Sequence, residues 1–184
     1  MSLLTKKFTV DQYHKMGEVG IFDPDERVEL LEGEIIKMSP IGLQHAVTIN
    51  RLTNFFPRQL GDNAIVSIQN PIRLNNHSEP QPDITLLQPR DDYYANKFPS
   101  SEDILLLIEV ADSSLLTDQE IKLPLYAEHN IIEYWIVNLT RQIVEIYRDP
   151  QNRAYQQQQM LLENQSISPL AFPELTVNFA TIFG

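Results

Sequence analysis

The chain has 184 residues, 42% apolar and 21% charged, with 14 basic against 25 acidic side chains and no cysteine. That is the length and composition of one globular domain, and a chain of this size buries enough surface to fold without a staple. The missing cysteines exclude disulfides, zinc ribbons, thiol catalysis and cysteine-held iron–sulfur clusters.

The longest unbroken apolar run, Ile104 to Ile108, falls far short of the roughly 18 residues that suggest a membrane span. The first ten residues, MSLLTKKFTV, hold no sustained apolar stretch and no small-residue cleavage site. A soluble, cytoplasmic protein is therefore the expectation. The net charge of −11 repels nucleic acid at long range, and no basic stripe offsets it. Such a chain acts on DNA only if a few cations cluster locally and metal offsets its carboxylates.

In chain order, residues 8–20 suit a short helix capped by Thr9 and stopped near Gly17 or Gly20. Asp23, Pro24 and Asp25 follow as a loop. Residues 27–38 read as a hairpin turning at Glu32-Gly33. From Leu43 to Leu60 apolar residues recur near helical spacing, and Pro57 is expected to kink or end that helix. Three strand candidates follow: Ala64–Leu74, interrupted by Pro71 and so at an edge or a bulge; Asp83–Gln88; and Ile104–Val110, whose continuous apolar run marks a central strand buried on both faces. The loop from Pro89 to Asp103 is long, polar and aromatic, the composition of a mobile or ligand-facing segment.

After Ser114 a helix is expected to carry Asp118, Ile121, Lys122, Leu125, Tyr126 and His129, with Pro124 tolerable only near its start. Strands at Glu133–Leu139, Gln142–Arg148 and about 155–162 complete the pattern, before a short apolar tail. Gln156–Gln159 is the one biased run. The fold class is α+β, a mixed sheet flanked by helices. No linker divides the chain, so residues 1–184 are expected to form a single domain.

Four features carry chemistry. Pro82-Asp83 opens a strand. Glu109 follows five apolar residues, where a carboxylate is costly to bury without a partner. Asp118 and Lys122 stand four apart, on one helix face. If the two strands pair, two carboxylates and a lysine meet in an all-oxygen site suited to Mg²⁺ or Mn²⁺, with a phosphate supplying further oxygens. Each feature also has a bland reading: a strand start, a solvated strand end, an exposed ion pair. In the hairpin, Glu32 and Glu34 share a face and Glu29 takes the other, unless the turn resets the alternation.

The ordered set VELLEGEIIKMSP…H, PDITLL, LLLIEVADSS…D…K…Y and EYWIV resembles the Uma2-type family, also called DUF820, which is similar to the PD-(D/E)XK nucleases. The resemblance runs from about residue 8 to the final segment. It implies a restriction-endonuclease-like core with an added N-terminal β-hairpin. It also implies a site with Asp83, Glu109 and Lys122 as catalytic residues and Asp83 and Glu109 as metal ligands. Glu29, Glu34, His45, Asp118 and Tyr126 would support it, and Glu133-Tyr134-Trp135 stands for the family's EYW signature. One departure matters. A standard strand carries lysine two residues after the glutamate, where this chain has Ala111, so Lys122 would reach the site from the next helix.

The leading function is a Mg²⁺- or Mn²⁺-dependent DNA endonuclease that hydrolyses phosphodiester bonds. The alternative is a catalytically weak regulatory or protein-interaction domain that keeps the nuclease fold. A hydrolase of smaller phosphate esters is a third reading. By analogy with enzymes that cut both strands, a homodimer is expected, with Tyr93, Tyr94 and Phe98 as contact candidates.

Overall fold

The computed structural model of the chain describes residues 5–184. Its centre is a six-stranded sheet in the order β3-β4-β5-β6-β7-β8. These strands are Ile65–Ile68, Ile84–Leu87, Ile104–Ala111, Glu133–Asn138, Ile143–Gln151 and Ala154–Leu161. Only β5 and β6 run parallel; the other neighbours are antiparallel. A parallel pair requires a crossover, and the segment after β5 supplies it.

The sheet buries both faces. Leu106, Ile108 and Val110 of β5 point towards α2 (Leu43–Leu60), packing with its Leu52 and Phe56. Leu107 and Ala111 point the other way, onto Tyr126, Tyr134 and Ile136. Glu109 shares the parity of Leu107 and Ala111, so a carboxylate sits on that second buried face. Helices lie on both sides, giving the α+β architecture the pattern implies.

The first helix, α1, spans Val10–Glu18, and Thr9 and Gln12 close its N-terminus as a reciprocal capping box. The hairpin pairs β1 (Val28–Leu31) with β2 (Glu34–Lys37) as a separate two-stranded unit. Its two turn residues, Glu32 and Gly33, both have positive φ, 48° and 78°. That is the mirror-image turn which matches strand twist. The turn resets the alternation. Glu34 lies opposite Leu31 and so on Glu29's face, two rungs nearer the turn.

Three expectations need correction. The helix α2 is not ended by Pro57 but runs on to Leu60, because proline in the last turn forfeits only one hydrogen bond. Strand β3 stops at Ile68, far short of Leu74, since Gln69 turns left-handed with φ 50°. The helix expected after Ser114 is three pieces: α3 (Leu115–Thr117), a π-helical turn (Asp118–Lys122) and α4 (Leu123–Glu128). Pro124 stands in the first turn of α4, where proline's missing N–H costs least.

The tail adds β9 (Ser166–Ile167), β10 (Val177–Asn178) and α5 (Phe179–Phe183), whose apolar side chains close the α2 side of the sheet. Among the described residues, no helix is long and apolar enough to cross a membrane.

Candidate functional site

Strands β4 and β5 pair with Ile84 opposite Ile108. This places Asp83, just before β4, beside the Glu109–Val110 peptide. The Asp83 N–H donates to Glu109 Oε2 at 3.2 Å, and the Val110 N–H donates to Asp83 Oδ2 at 2.9 Å. Each carboxylate thus accepts a main-chain N–H from the other's segment at the end of the β4–β5 ladder.

Lys122 reaches them from the π-helical turn. Its Nζ stands 2.9 Å from Glu109 Oε1, 3.0 Å from Glu29 Oε1 and 3.9 Å from Asp118 Oδ1. Tyr126, one turn on, donates to the same Glu109 oxygen at 3.0 Å. Glu29 arrives from the hairpin and is fixed by the Gln81 N–H at 3.0 Å; Ser114 holds Asp118 at 2.7 Å. The predicted Asp83, Glu109 and Lys122 therefore meet, with Glu29, Asp118 and Tyr126 around them.

His45, in the first turn of α2, touches Asp83 Oδ2 with Nε2 at 3.0 Å. Glu34 does not join the cluster. It is exposed and bound to Lys7 at 2.6 Å, because it lies at the turn end of the hairpin. Ala111 lies on the Glu109 face, packed in the apolar cluster with Tyr126. The sequence reading missed two contributors, Gln69 and the Gln81 N–H. The Gln69 amide donates to Asp83 Oδ1 at 3.1 Å. The left-handed Gln69 that stops β3 is the feature which turns this amide inward.

All five charged groups of the cluster are buried: Glu29, Asp83, Glu109, Asp118 and Lys122 are each at most 7% exposed. Four carboxylates face one ammonium. Burial pushes Asp118 up to about 6, despite the opposing pull of Lys122 and the Ser114 hydrogen bond. Burial also raises Glu109 well above the usual carboxylate range, and the neighbouring carboxylates add to this. Lys122 moves the other way from a typical buried amine. Burial favours its neutral form, yet the attraction of Glu109, Glu29 and Asp118 prevails and it keeps its proton. At Asp83, burial is outweighed by the hydrogen bonds and charge of His45, Val110 and Gln69, so its carboxyl falls below the ordinary value.

The cluster opens into a cavity of about 70 Å³, room for several waters. Its walls include Glu29, Asp83, Glu109, Asp118 and Lys122, with Arg27 and Lys37 of the hairpin also lining it.

The Uma2 family model, described as "Putative restriction endonuclease", matches residues 10–180. The chain belongs to the Uma2 family. No curated protein matches it. Among solved structures it is similar to the crystal structure of "a putative nuclease belonging to DUF820" from Anabaena variabilis ATCC 29413. The two superpose with a TM-score of 0.75 at 18% identity, over 96% of this chain and 97% of that one. At that identity the likeness speaks for the fold, which this Uma2 chain shares along nearly its whole length.

The Glu133-Tyr134-Trp135 stretch lies outside the cluster. Glu133 is fully buried at the start of β6. It accepts two bonds from Arg148, one from Trp135 Nε1 and one from the Leu170 N–H. It clamps the tail onto the sheet. Tyr134 packs edge-on against Tyr126 and so backs the helix that carries Lys122.

Proposed function

We propose that this Uma2 chain is a divalent-metal-dependent DNA endonuclease whose reaction centre is the cluster of Asp83, Glu109 and Lys122. The observation that carries this is the convergence of four buried carboxylates and one lysine beneath an open cavity. Such an excess of buried negative charge is costly and calls for a cation.

The donor set fits Mg²⁺ or Mn²⁺, which take oxygen ligands and keep several waters. Among the described residues, no group of three histidine or carboxylate side chains is placed to hold a metal ion, the three carboxylates around Lys122 being occupied by its ammonium. A metal here would therefore rest on two carboxylates, with water and substrate phosphate completing its shell. Hydrogen-bond accounting says which oxygens. Asp83 Oδ2 and Glu109 Oε1 each already accept two bonds. Asp83 Oδ1 and Glu109 Oε2 each accept only one, leaving a free lone pair on each.

A metal in such a site lowers the pKa of bound water and polarises a phosphoryl oxygen. The protein's residues do the rest. His45 and Gln69 hold Asp83 in place. Tyr126 and Lys122 orient Glu109. The Lys122 ammonium stabilises charge developing on the phosphate oxygens. In a chain with a charge of −11, Arg27 and Lys37 at the cavity wall supply local cations for a DNA backbone.

The test is cleavage of supercoiled plasmid in Mg²⁺ or Mn²⁺ by the wild type and by Asp83→Ala. Metal-dependent cleavage abolished in the variant is the expected result. No cleavage by the wild type under any divalent metal would leave the regulatory reading, a nuclease fold whose lysine has replaced the metal. Calorimetry separates ligands from the lysine. Mn²⁺ binding should vanish in Asp83→Ala and Glu109→Ala. It should persist, and tighten, in Lys122→Ala, where activity falls roughly 10²–10⁴-fold.

A further inference from the structure

Acidic residues recur along most of the chain, but from Ile35 to Gly61 there is none, the longest stretch without Asp or Glu. This stretch forms most of β2, the loop beside the cavity and the whole of α2. Helix α2 turns Ile49, Leu52, Phe56 and Leu60 towards the sheet. On its outer side Gln44, Arg51 and Arg58 stand seven residues apart, close to two helical turns, and so form one row. Successive members lie about 10 Å apart along the axis. Gln44 and Arg58 are exposed and Arg51 is partly so. Among the described residues, neither arginine pairs with a carboxylate. Arg51 has one long bond, 3.4 Å, to the Ile182 carbonyl, and Arg58 has none.

The row begins at the reaction centre. Gly42 and His45, at the start of α2, line the cavity above the carboxylates. Beside it a groove of about 170 Å³ runs between Gln44, Thr48 and Arg51 of α2, Thr140 and Gln142 of the β6–β7 turn, and Phe183 of the tail. Asp112 lines both the cavity and the groove, and is the groove's one carboxylate. Arg51 also borders a second hollow, of about 520 Å³, with Asn50, Asn54 and Thr181. From Leu175 to Gly184 the tail has no charged side chain, and the β6–β7 turn has only Arg141. Two arginines do not make a basic patch. What sets this face apart in a chain of charge −11 is that amides, hydroxyls and cations meet there almost without carboxylates.

We propose that the outer face of α2 is the bed for the backbone of bound DNA, whose phosphates lead away from the cavity along Gln44, Arg51 and Arg58. Phosphate oxygens are bound by arginine and lysine and by the amides and hydroxyls of Asn, Gln, Ser and Thr, which is the set that lines this groove. The spacing agrees: about 10 Å is three steps of a duplex strand at about 3.4 Å each. Contacts of this kind fix the position of DNA and read no sequence. The absence of carboxylates matters as much as the arginines, because it lets a polyanion approach one side of an acidic protein. The choice of DNA as ligand rests on the nuclease reading, but the test requires no cleavage.

The test is binding of a short fluorescent DNA duplex, followed by anisotropy in EDTA across a range of salt. Each phosphate neutralised contributes about 0.9 to the slope of log affinity against log salt. The double variant Arg51→Gln/Arg58→Gln should therefore flatten the slope by roughly 1.8, with unchanged circular dichroism. Arg58→Gln alone breaks no bond of the fold and should flatten it by about 0.9. Lys15→Gln/Lys97→Gln removes the same charge from exposed positions on α1 and on the loop between β4 and β5, and should leave the slope unchanged. A wild type that does not bind, a slope indifferent to Arg51 and Arg58, or an equal fall in both double variants would overturn the proposal. DNA bound in this way but never cut in Mg²⁺ or Mn²⁺ would keep the bed and refute the nuclease reading. Plasmid cut equally well by the wild type and the Arg51→Gln/Arg58→Gln variant would do the reverse.

Discussion

Replacing Lys122 by Met removes the one ammonium from a site of buried carboxylates while keeping most of the stem's volume. Glu109 and Glu29 lose a partner at 2.9 and 3.0 Å, and Asp118 one at 3.9 Å. Breaking a buried ion pair from one side costs about 3–5 kcal/mol. The loss here does not reach three times that figure, because a carboxyl can take up a proton instead of staying charged. For a chain of this length, about 3–5 kcal/mol lowers Tm by roughly 6–20 °C. The loss should depend on pH. Without Lys122, the folded-state pKa values of Glu109 and Asp118 rise further above their unfolded values. The variant should therefore approach wild-type stability near pH 4–5 and diverge from it as the pH climbs towards 8. Millimolar Mn²⁺ should also restore part of the loss. Urea unfolding at pH 5 and pH 7.5, with and without Mn²⁺, measures all three effects. A loss below about 1 kcal/mol at pH 7.5, or an equal loss at both pH values, would refute the reasoning. The lysine would then matter only through packing of its stem.

Three further expectations are simpler. Asp118 has a folded pKa of about 6, above its unfolded 3.8, so its contribution is fully present below pH 4 and lost as the pH rises through 6. Asp118→Asn should remove that fall, roughly 3 kcal/mol at most, from the metal-free stability profile measured by thermal unfolding. Glu133→Gln should destabilise by about 3 kcal/mol or more, since it breaks the buried pair with Arg148, yet leave Mn²⁺ titration unchanged. Gly33→Ala should cost about 1–3 kcal/mol in urea unfolding, because φ is +78° and the new Cβ would lie 2.7 Å from Lys7 Cβ.

Much of the site is legible in the sequence because its chemistry contradicts its surroundings. A glutamate inside the apolar run of β5 has no bland role once that strand is buried on both faces. Asp118 and Lys122 share a face under either helical period, so the π-helical turn did not disturb their pairing. What stayed hidden depends on backbone details of one or two residues. Glu34 follows the same turn that resets the hairpin's alternation, and its position beside Lys7 depends on a fold of the N-terminal segment that no periodicity encodes. Gln69 and the Gln81 N–H act through a left-handed residue and a main-chain donor, neither of which leaves a pattern. The structural role of Glu133 left no pattern either, because its partners Arg148 and Leu170 are distant in sequence.

The lysine of the cluster stands on the crossover and not on β5, and this sets how the cluster is assembled. A lysine at position 111 would be aligned with Glu109 by the strand itself. Lys122 is aligned by three carboxylates from three separate segments: Glu29 on the hairpin, Glu109 on β5 and Asp118 on its own turn. The hairpin is a separate two-stranded sheet, tied to residues 79–81 by the Leu30–Glu79 bridge and the Gln81 bond to Glu29. Its position therefore governs the third carboxylate around the lysine and both cations at the cavity wall, Arg27 and Lys37. Neutralising the excess charge beneath the cavity relieves repulsion between Glu29 and the sheet carboxylates. Cation binding and hairpin docking are then linked, each strengthening the other by the same free energy.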